Sequence, residues 1–434
     1  MSAGADLFAP GFREQPYWWE AAPRPRAPEQ ALPLRADVVI IGSGFTGLNA
    51  ALTLARAGRQ VVVLDAEDPG FGASSRNAGY VGRSLKHTFG EIKDALGLER
   101  AGAVYRDLRA AFDHVLTLVG REGIACHLTQ YGRFQAALSA RHYEAMARDS
   151  DLKRRHLGEE TDMLSRAEVR REVGSDLFVG GRLIADHRGL HPGLYQLGLL
   201  DRSVAAGAQV HGRTPALGLR RDADGFTVAT PRGAIVARDV LVATNGYTDA
   251  SLPWFRRRVI PFHGFMVATE PLSPERIARI LPNRRLFHDY INNLNYMRLS
   301  PDGSRILFGG RTGAATADLK GKARRLHAIF SRIVPDLAAV RLGHAWSGQC
   351  AGSFDLYPHI GVADGVHYAL AYCFAGLPMG SWLGHKAALR ILGAADAGTS
   401  LDSLPLETRF WHRGEPWFVP LAAAYFDWRD WYER

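Results

Sequence analysis

The residues Gly42-Ser43-Gly44-Phe45-Thr46-Gly47 carry glycines at the spacing G-x-G-x-x-G, and Asp65 follows about twenty residues later. Spacing alone also suits a structural loop, so the flanking text decides. Before the motif runs Val38-Val39-Ile40-Ile41. After it comes a helical pattern through Leu48, Leu52, Leu54 and Ala55 that stops at Gly58, and then Val61-Val62-Val63-Leu64, which ends in Asp65. In a strand–turn–helix–strand unit each residue type has a task. Gly42 permits the tight turn, Gly44 lets backbone approach a pyrophosphate at the helix N-terminus, and Gly47 allows close helix–strand packing. Asp65 can accept hydrogen bonds from a ribose. The chemistry implied is that of a bound dinucleotide.

The elements that must hold this site follow from periodicity. Both short apolar runs read as parallel strands buried on two faces. Helical spacing covers Leu96–Leu118 and Arg141–Leu157, a helix lies between Pro192 and Ala206, and Ala317–Val334 is helical up to Pro335. Strands are expected at Tyr131–Leu138, Ala208–His211, Gly225–Thr230, Asp239–Ala243 and Val366–Tyr372. Asn295–Gly310 reads as a hairpin turning at Pro301-Asp302-Gly303. A Gly-rich loop then leads to a helix at Trp382–Leu392. Residues 1–35 hold Pro10, Pro16, Pro23, Pro25, Pro28 and Pro33 and form an extended arm or coil, pinned by Trp18 and Trp19.

Composition bounds the function class. At 434 residues, 47% hydrophobic and 22% charged, the chain is an ordinary globular protein of two to three units, or one large domain with an insertion. Its net charge of +9 favours anionic partners, yet Lys153–Arg155, Arg256–Arg258 and Arg324–Arg325 lie far apart and read as solvated faces, so no nucleic acid is expected. Cys126, Cys350 and Cys373 are too scattered for a disulfide framework or zinc site. No stretch reaches the apolar length of a membrane span and no secretory signal is legible, which points to the cytoplasm.

After Asp65 comes Pro69-Gly70-Phe71-Gly72-Ala73-Ser74-Ser75-Arg76-Asn77-Ala78-Gly79-Tyr80, dense in small residues and backbone donors. A nicotinamide enzyme has no need of such a loop here. The segment resembles the G-A-S-G-R-N-G-G stretch of the FAD-dependent D-amino-acid oxidase and glycine oxidase superfamily, with Ser75 and Ala78 in place of glycines. Val242–Thr248, Leu307-Phe308-Gly309-Gly310-Arg311, Trp346-Ser347-Gly348 and Tyr372–Lys386 are similar to further segments of that superfamily, and the two ends of the chain resemble its γ-glutamylputrescine oxidase-like branch. The resemblance assigns to FAD, beside the motif residues and Asp65, Ala66, the loop Gly72, Ala73, Ser74, Ser75, Arg76, Asn77, Ala78 and Gly79, the turn Thr244, Asn245 and Gly246, and the closing segment Phe374, Ala375, Gly376, Leu377, Met379 and Gly380. Phe374 stands where many relatives have glycine.

The implied fold is α/β: a Rossmann-like FAD domain of the glutathione-reductase/D-amino-acid oxidase type with an inserted α+β substrate domain containing a mixed sheet. The FAD domain would comprise 36–95, 186–252 and 342–400, the substrate domain 96–185 and 253–341, with an arm at 1–35 and a tail at 401–434 packed on the FAD domain. The implied reaction takes hydride from the carbon beside an amine to flavin N5 and leaves an imine for water to hydrolyse, with dioxygen or an electron carrier as final acceptor. The substrate would be a small amine or amino acid. A flavin-dependent RNA-modifying enzyme and an FAD-binding subunit without turnover are the alternatives.

Candidate substrate contacts are His263, Tyr296, Arg298 and Gln349. His263 either tunes amine protonation or is a structural histidine. Tyr296 and Arg298 alternate with Met297 and share one sheet face, which either lines the cavity or does not. Arg311 would pair with a substrate carboxylate or with an internal one. Cys350 lies near the position of a covalent flavin link in sarcosine-oxidase-like members. Those members also place a lysine in the strand that here reads Ile306–Gly313. None appears there, so Arg83 or Lys86 would replace it, or reaction with oxygen would be poor.

Overall fold

The computed structural model describes residues 6–25, 30–314 and 316–432, without the side chains of Arg311 and Thr312. Pro28 and the expected pairing of Arg311 therefore lie outside the described residues. Two sheets carry the structure. The first runs, in order, Gly218–Asp222, Gly225–Thr230, Gly233–Val242, Arg35–Ile41, Val61–Leu64 and Gln209–His211. Val38–Ile41 pairs in parallel with Val61–Leu64 on one side and with Asp239–Val242 on the other. These strands are apolar on both faces because both faces are covered: Val39, Val62 and Val240 belong to one core, Ile40, Val63 and Leu241 to another.

The second sheet has nine strands. Its order is Phe8–Arg13, Leu342–Gly352, Ile260–Thr269, Ile306–Gly313, Asn295–Leu299, Leu286–Asp289, Arg133–Ala137, Gly180–Ile184 and Asp162–Ser165. One face is apolar: Phe134, Phe265, Val267, Phe287, Met297 and Phe308 pack with helix Leu319–Ile333. The opposite face is turned toward the first sheet: Met266, Ala268, Leu307 and Trp346 form an apolar cluster with Trp18, and the remainder is largely polar or glycine.

The structure departs from the expected division in three places. Helix Leu98–Glu122 buries its stripe of Val104, Leu108, Phe112, Val115 and Leu118 in the core of the first sheet and packs on helix Pro378–Ile391, so this part of 96–185 belongs with the dinucleotide unit. Strand Leu342–Gly352 pairs along its length with Ile260–Thr269, so the second sheet retains it and the boundary moves past residue 352. The tail does not lie wholly on the first sheet's side: helix Val419–Tyr432 reaches strand Ile306–Gly313 and leaves Tyr425, Trp428 and Trp431 exposed. The arm is more ordered than a coil, with Phe8–Arg13 forming an edge strand beside Leu342–His344 and Trp18 fully buried.

Candidate active site

A cavity of about 730 Å³ opens between the two sheets. Its first wall is the glycine motif. Gly42 has φ +109°, and a Cβ there would lie 2.8 Å from the Ala243 carbonyl oxygen, so only glycine joins the strand to the helix. Helix Phe45–Arg56 begins at Gly44 with no side-chain cap and no acidic residue in its first turn. Phe45 N donates to Ser74 Oγ at 2.9 Å, and the helix end is otherwise positive and free of competing carboxylate, as a diphosphate requires. Asp65 sits at the end of its strand on the cavity wall, where it accepts from Ser43 N (2.9 Å), Ser43 Oγ and Glu67 N (3.0 Å). Burial raises its pKa, and those donors oppose the rise.

The loop 72–79 is shaped by donors on its protein side. Trp346 Nε1 donates to Arg76 O (2.8 Å), Trp18 Nε1 to Asn77 O (2.9 Å), and Asn77 Nδ2 to Ala73 O and Ser74 O (3.0 Å each). With these four carbonyls already engaged, the loop suits a ring rich in acceptors. Arg76 is clamped between Trp19 and Phe71, its Cζ 4.6 and 4.3 Å from the two ring centroids.

The closing segment Cys373–Pro378 forms the far wall. Phe374 has φ +76°, a glycine-like conformation that costs about 1 kcal/mol in a bulky residue. Its ring lies 5.0 Å from that of Phe262, tilted by 40°, and is half exposed, so the side chain meets no clash there. Helix Pro378–Ile391 follows, again without acidic residues in its first turn.

Most expected cofactor residues line the cavity: Gly42, Gly44, Phe45, Thr46, Asp65, Ala66, Gly72, Ala73, Ser74, Arg76, Asn77, Ala78, Thr244, Asn245, Phe374, Ala375, Gly376 and Leu377. Six others support it from behind. Gly47 touches the Gly42 carbonyl, Ser75 Oγ accepts from Trp19 Nε1, Gly79 carries a left-handed turn, and Gly246 abuts the Cys350 carbonyl. Met379 is core, and Gly380 faces Thr46 and Tyr372.

Among the expected substrate contacts only Tyr296 lines the cavity. Strand alternation explains the rest. Gly264 and Met266 face the cavity, so His263 and Phe265 face the other side. Gly348 and Cys350 face it, so Gln349 turns away and donates Nε2 to Gly246 O at 2.6 Å. Arg298 does share the face of Tyr296, but loop 78–79, Leu190 and Trp18 cover it. Burial holds the Tyr296 phenol far above its usual pKa, making it a neutral donor. Of the two alternative cations, Arg83 is tied to Glu159 and Asp186 and does not line the cavity, whereas Lys86 does and donates to Asn292 O at 3.1 Å.

Cys350 lines the cavity as a free thiol, and burial pushes its pKa up to about 11, so the nucleophilic thiolate is scarce at neutral pH. We expect no covalent flavin link: acid precipitation should leave a colourless pellet and put all the flavin in the supernatant.

Sequence reading missed a set of polar residues at the other end of the cavity: Arg133, Gln135, Asp149, Lys153, Arg182 and His288. A signal existed, since Arg133 and Gln135 alternate with Phe134 and Ala136 inside a strand. It also missed the mouth. Phe426 and Arg429 of the last helix line the cavity, and buried Asp430 accepts from Asn292 N (2.7 Å), Asn292 Nδ2 (2.8 Å) and Asn293 N (3.0 Å). Asp430→Ala should free this loop, raise KM about tenfold with kcat and flavin content unchanged, and expose 291–294 to limited proteolysis.

The comparisons with known proteins agree with this geometry. Residues 37–390 match the DAO family, described as FAD dependent oxidoreductase. The chain belongs to this family. Its cofactor is therefore FAD, and the residues above fit it. The gamma-glutamylputrescine oxidoreductase of Escherichia coli is 27% identical over 92% of this chain and 93% of its own length. A probable oxidoreductase OrdL of Rhizobium meliloti is 30% identical over 89% and 90%. Among solved structures, glycine oxidase from Geobacillus kaustophilus superposes with a TM-score of 0.72 at 22% identity, covering 87% of this chain and 99% of that one. As a member of the DAO family the chain is an FAD-dependent amine or amino-acid oxidoreductase, built as a Rossmann-like FAD unit with a mixed-sheet substrate unit. No helix among the described residues is long and apolar enough to cross a membrane.

Proposed function

We propose that the chain oxidises the C–N bond of a small amine or amino acid, hydride leaving the carbon beside nitrogen and the resulting imine being hydrolysed by water. The observation that carries this reading is the cavity itself, in which the glycine motif and loop 72–78 face a sheet wall made of Gly264, Met266, Tyr296, Gly348 and Cys350. FAD, when bound, supplies the hydride acceptor at N5 and passes the electrons to dioxygen or another acceptor. The protein's part is to position and to discriminate. That sheet wall holds no carboxylate, so an ammonium finds no countercharge there and the neutral amine, the form with a lone pair to expel hydride, is favoured. Tyr296 donates from a neutral phenol, and its ring fills the space over Gly309, where a Cβ would lie 2.3 Å from it. The name of the Escherichia coli relative supports an amine as substrate. The three free cysteines suit the cytoplasm as compartment.

The test is anaerobic titration of the yellow protein with amines and amino acids. Bleaching of the flavin bands by one chemical class supports the reading and names the class. A protein that holds FAD and is bleached by no member of a broad panel counts against it.

A further inference from the structure

The polar end of the cavity is organised by sheet register. Tyr296 pairs with Gly309 on one side and His288 on the other, His288 pairs with Gln135, and Gln135 with Arg182. These positions form one row across adjacent strands, and Tyr296, His288, Gln135 and Arg182 all line the cavity. At a strand spacing of about 4.8 Å, Gln135 stands roughly 10 Å from Tyr296. Arg133 shares the face of Gln135, two residues along the same strand.

The charges here do not balance. Arg83 meets Glu159 and Asp186, while Arg182 and Lys153 share Asp149. Arg133 forms no ion pair with either group, although Arg182, Arg83 and Asp186 act on it at longer range. It is 9% exposed, it donates to Ser84 Oγ at 2.7 Å, its buried Nε has no acceptor, and among the described residues no carboxylate lies within ion-pair distance. Burial, with Arg182 nearby, pushes its pKa down to about 10, so it remains charged at neutral pH. The four cations face three carboxylates, one unit short of balance. A buried cation with no counter-ion is costly, and a bound anion relieves that cost. Gln135 completes the acceptor site: Arg182 Nη2 and Nε hold its Oε1 at 2.7 and 3.2 Å, which turns the Nε2 donor away from Arg182.

We propose that Arg133 and Gln135 form a carboxylate subsite, so that the substrate is an elongated amine bearing a carboxylate roughly 10 Å from the C–N bond that is oxidised. That span matches about three residues of extended chain. A monoanion matches the single unbalanced charge, which favours carboxylate over a phosphate dianion. This inference rests on the amine-oxidising reading above and names the far end of its substrate.

The experiment measures kcat/KM of the FAD-loaded wild-type enzyme with straight-chain ω-amino carboxylates of increasing length, each against its terminal amide. Carboxylates should outperform amides only near the matching length, by about 30-fold and through KM. Arg133→Met should remove that advantage while leaving the flavin spectrum as in wild type and the melting temperature at or above it, since an uncompensated buried charge is removed, and inhibition by the saturated carboxylate lacking the amine should vanish with it. Arg133→Lys should recover part of it. If amines bleach the flavin but carboxylate and amide perform alike at every length in the wild-type enzyme, the subsite is overturned while the amine-oxidising reading stands. A comparison confined to wild type decides this even where a variant fails to fold. If no amine in any form bleaches the flavin, the amine-oxidising reading fails and the subsite with it.

Discussion

Gly47→Ala is expected to yield a protein that purifies without flavin and melts well below wild type. The added Cβ would sit 1.9 Å from the Gly42 carbonyl oxygen, 3.0 Å from its carbon and 3.2 Å from Ile40 Cγ2. The first two are backbone and cannot rotate aside, so helix Phe45–Arg56 would have to move off its strand. The other side of that helix is closed as well: Gly384 of helix Pro378–Ile391 approaches so tightly that a Cβ there would lie 2.1 Å from Thr46 O. A helix held between two glycine contacts has no direction in which to yield. Overpacking of this kind costs about 3 kcal/mol. The displaced N-terminus also no longer presents its N–H groups to the pyrophosphate. The ratio of flavin to protein absorbance and the melting temperature, with and without added FAD, check this. A yellow variant with wild-type melting would refute the packing argument.

Arg298→Leu should destabilise the protein by about 4 kcal/mol without acting through substrate affinity. The guanidinium is 2% exposed and donates to Ala78 O (2.8 Å), Leu190 O (2.8 Å), Gly79 O (3.3 Å) and Leu299 O (3.2 Å), with its Cζ 5.4 Å from the Trp18 ring. Gly79 O keeps the Leu190 N–H as a partner, so the loss falls on the Ala78, Leu190 and Leu299 carbonyls. A buried acceptor left unpaired costs about 1–3 kcal/mol. The same bonds hold loop 78–79, which carries the cavity-lining Ala78, so the variant should also bind FAD more weakly. Denaturant unfolding and FAD titration measure both effects. If KM rose with stability and FAD affinity unchanged, Arg298 would be a substrate contact after all.

The glycine motif and its flanking elements were legible in the sequence because their parts are contiguous, whereas 72–79, 244–246 and 374–380 were reached only through the resemblance. Strand, turn, helix and second strand lie within residues 38–65, and each glycine there answers a local demand: φ +109° at Gly42, or a close approach at Gly47. The parallel strands were legible because a strand covered on both faces must be apolar throughout. What the tertiary structure alone decided is which side of each strand meets the cavity. His263 and Gly264 are neighbours in sequence, as are Gly348 and Gln349, yet only one of each pair lines it, because alternation fixes relative faces and not which face is inward. It also decided the fate of Arg298, whose face was expected but whose cover, loop 78–79 and Trp18, comes from distant parts of the chain. The polar row of Tyr296, His288, Gln135 and Arg182 follows the order of strands in a sheet, and that order is set by packing two cores at once. The glycine motif is written locally; the rest of the cavity exists only where distant stretches of the chain are laid side by side.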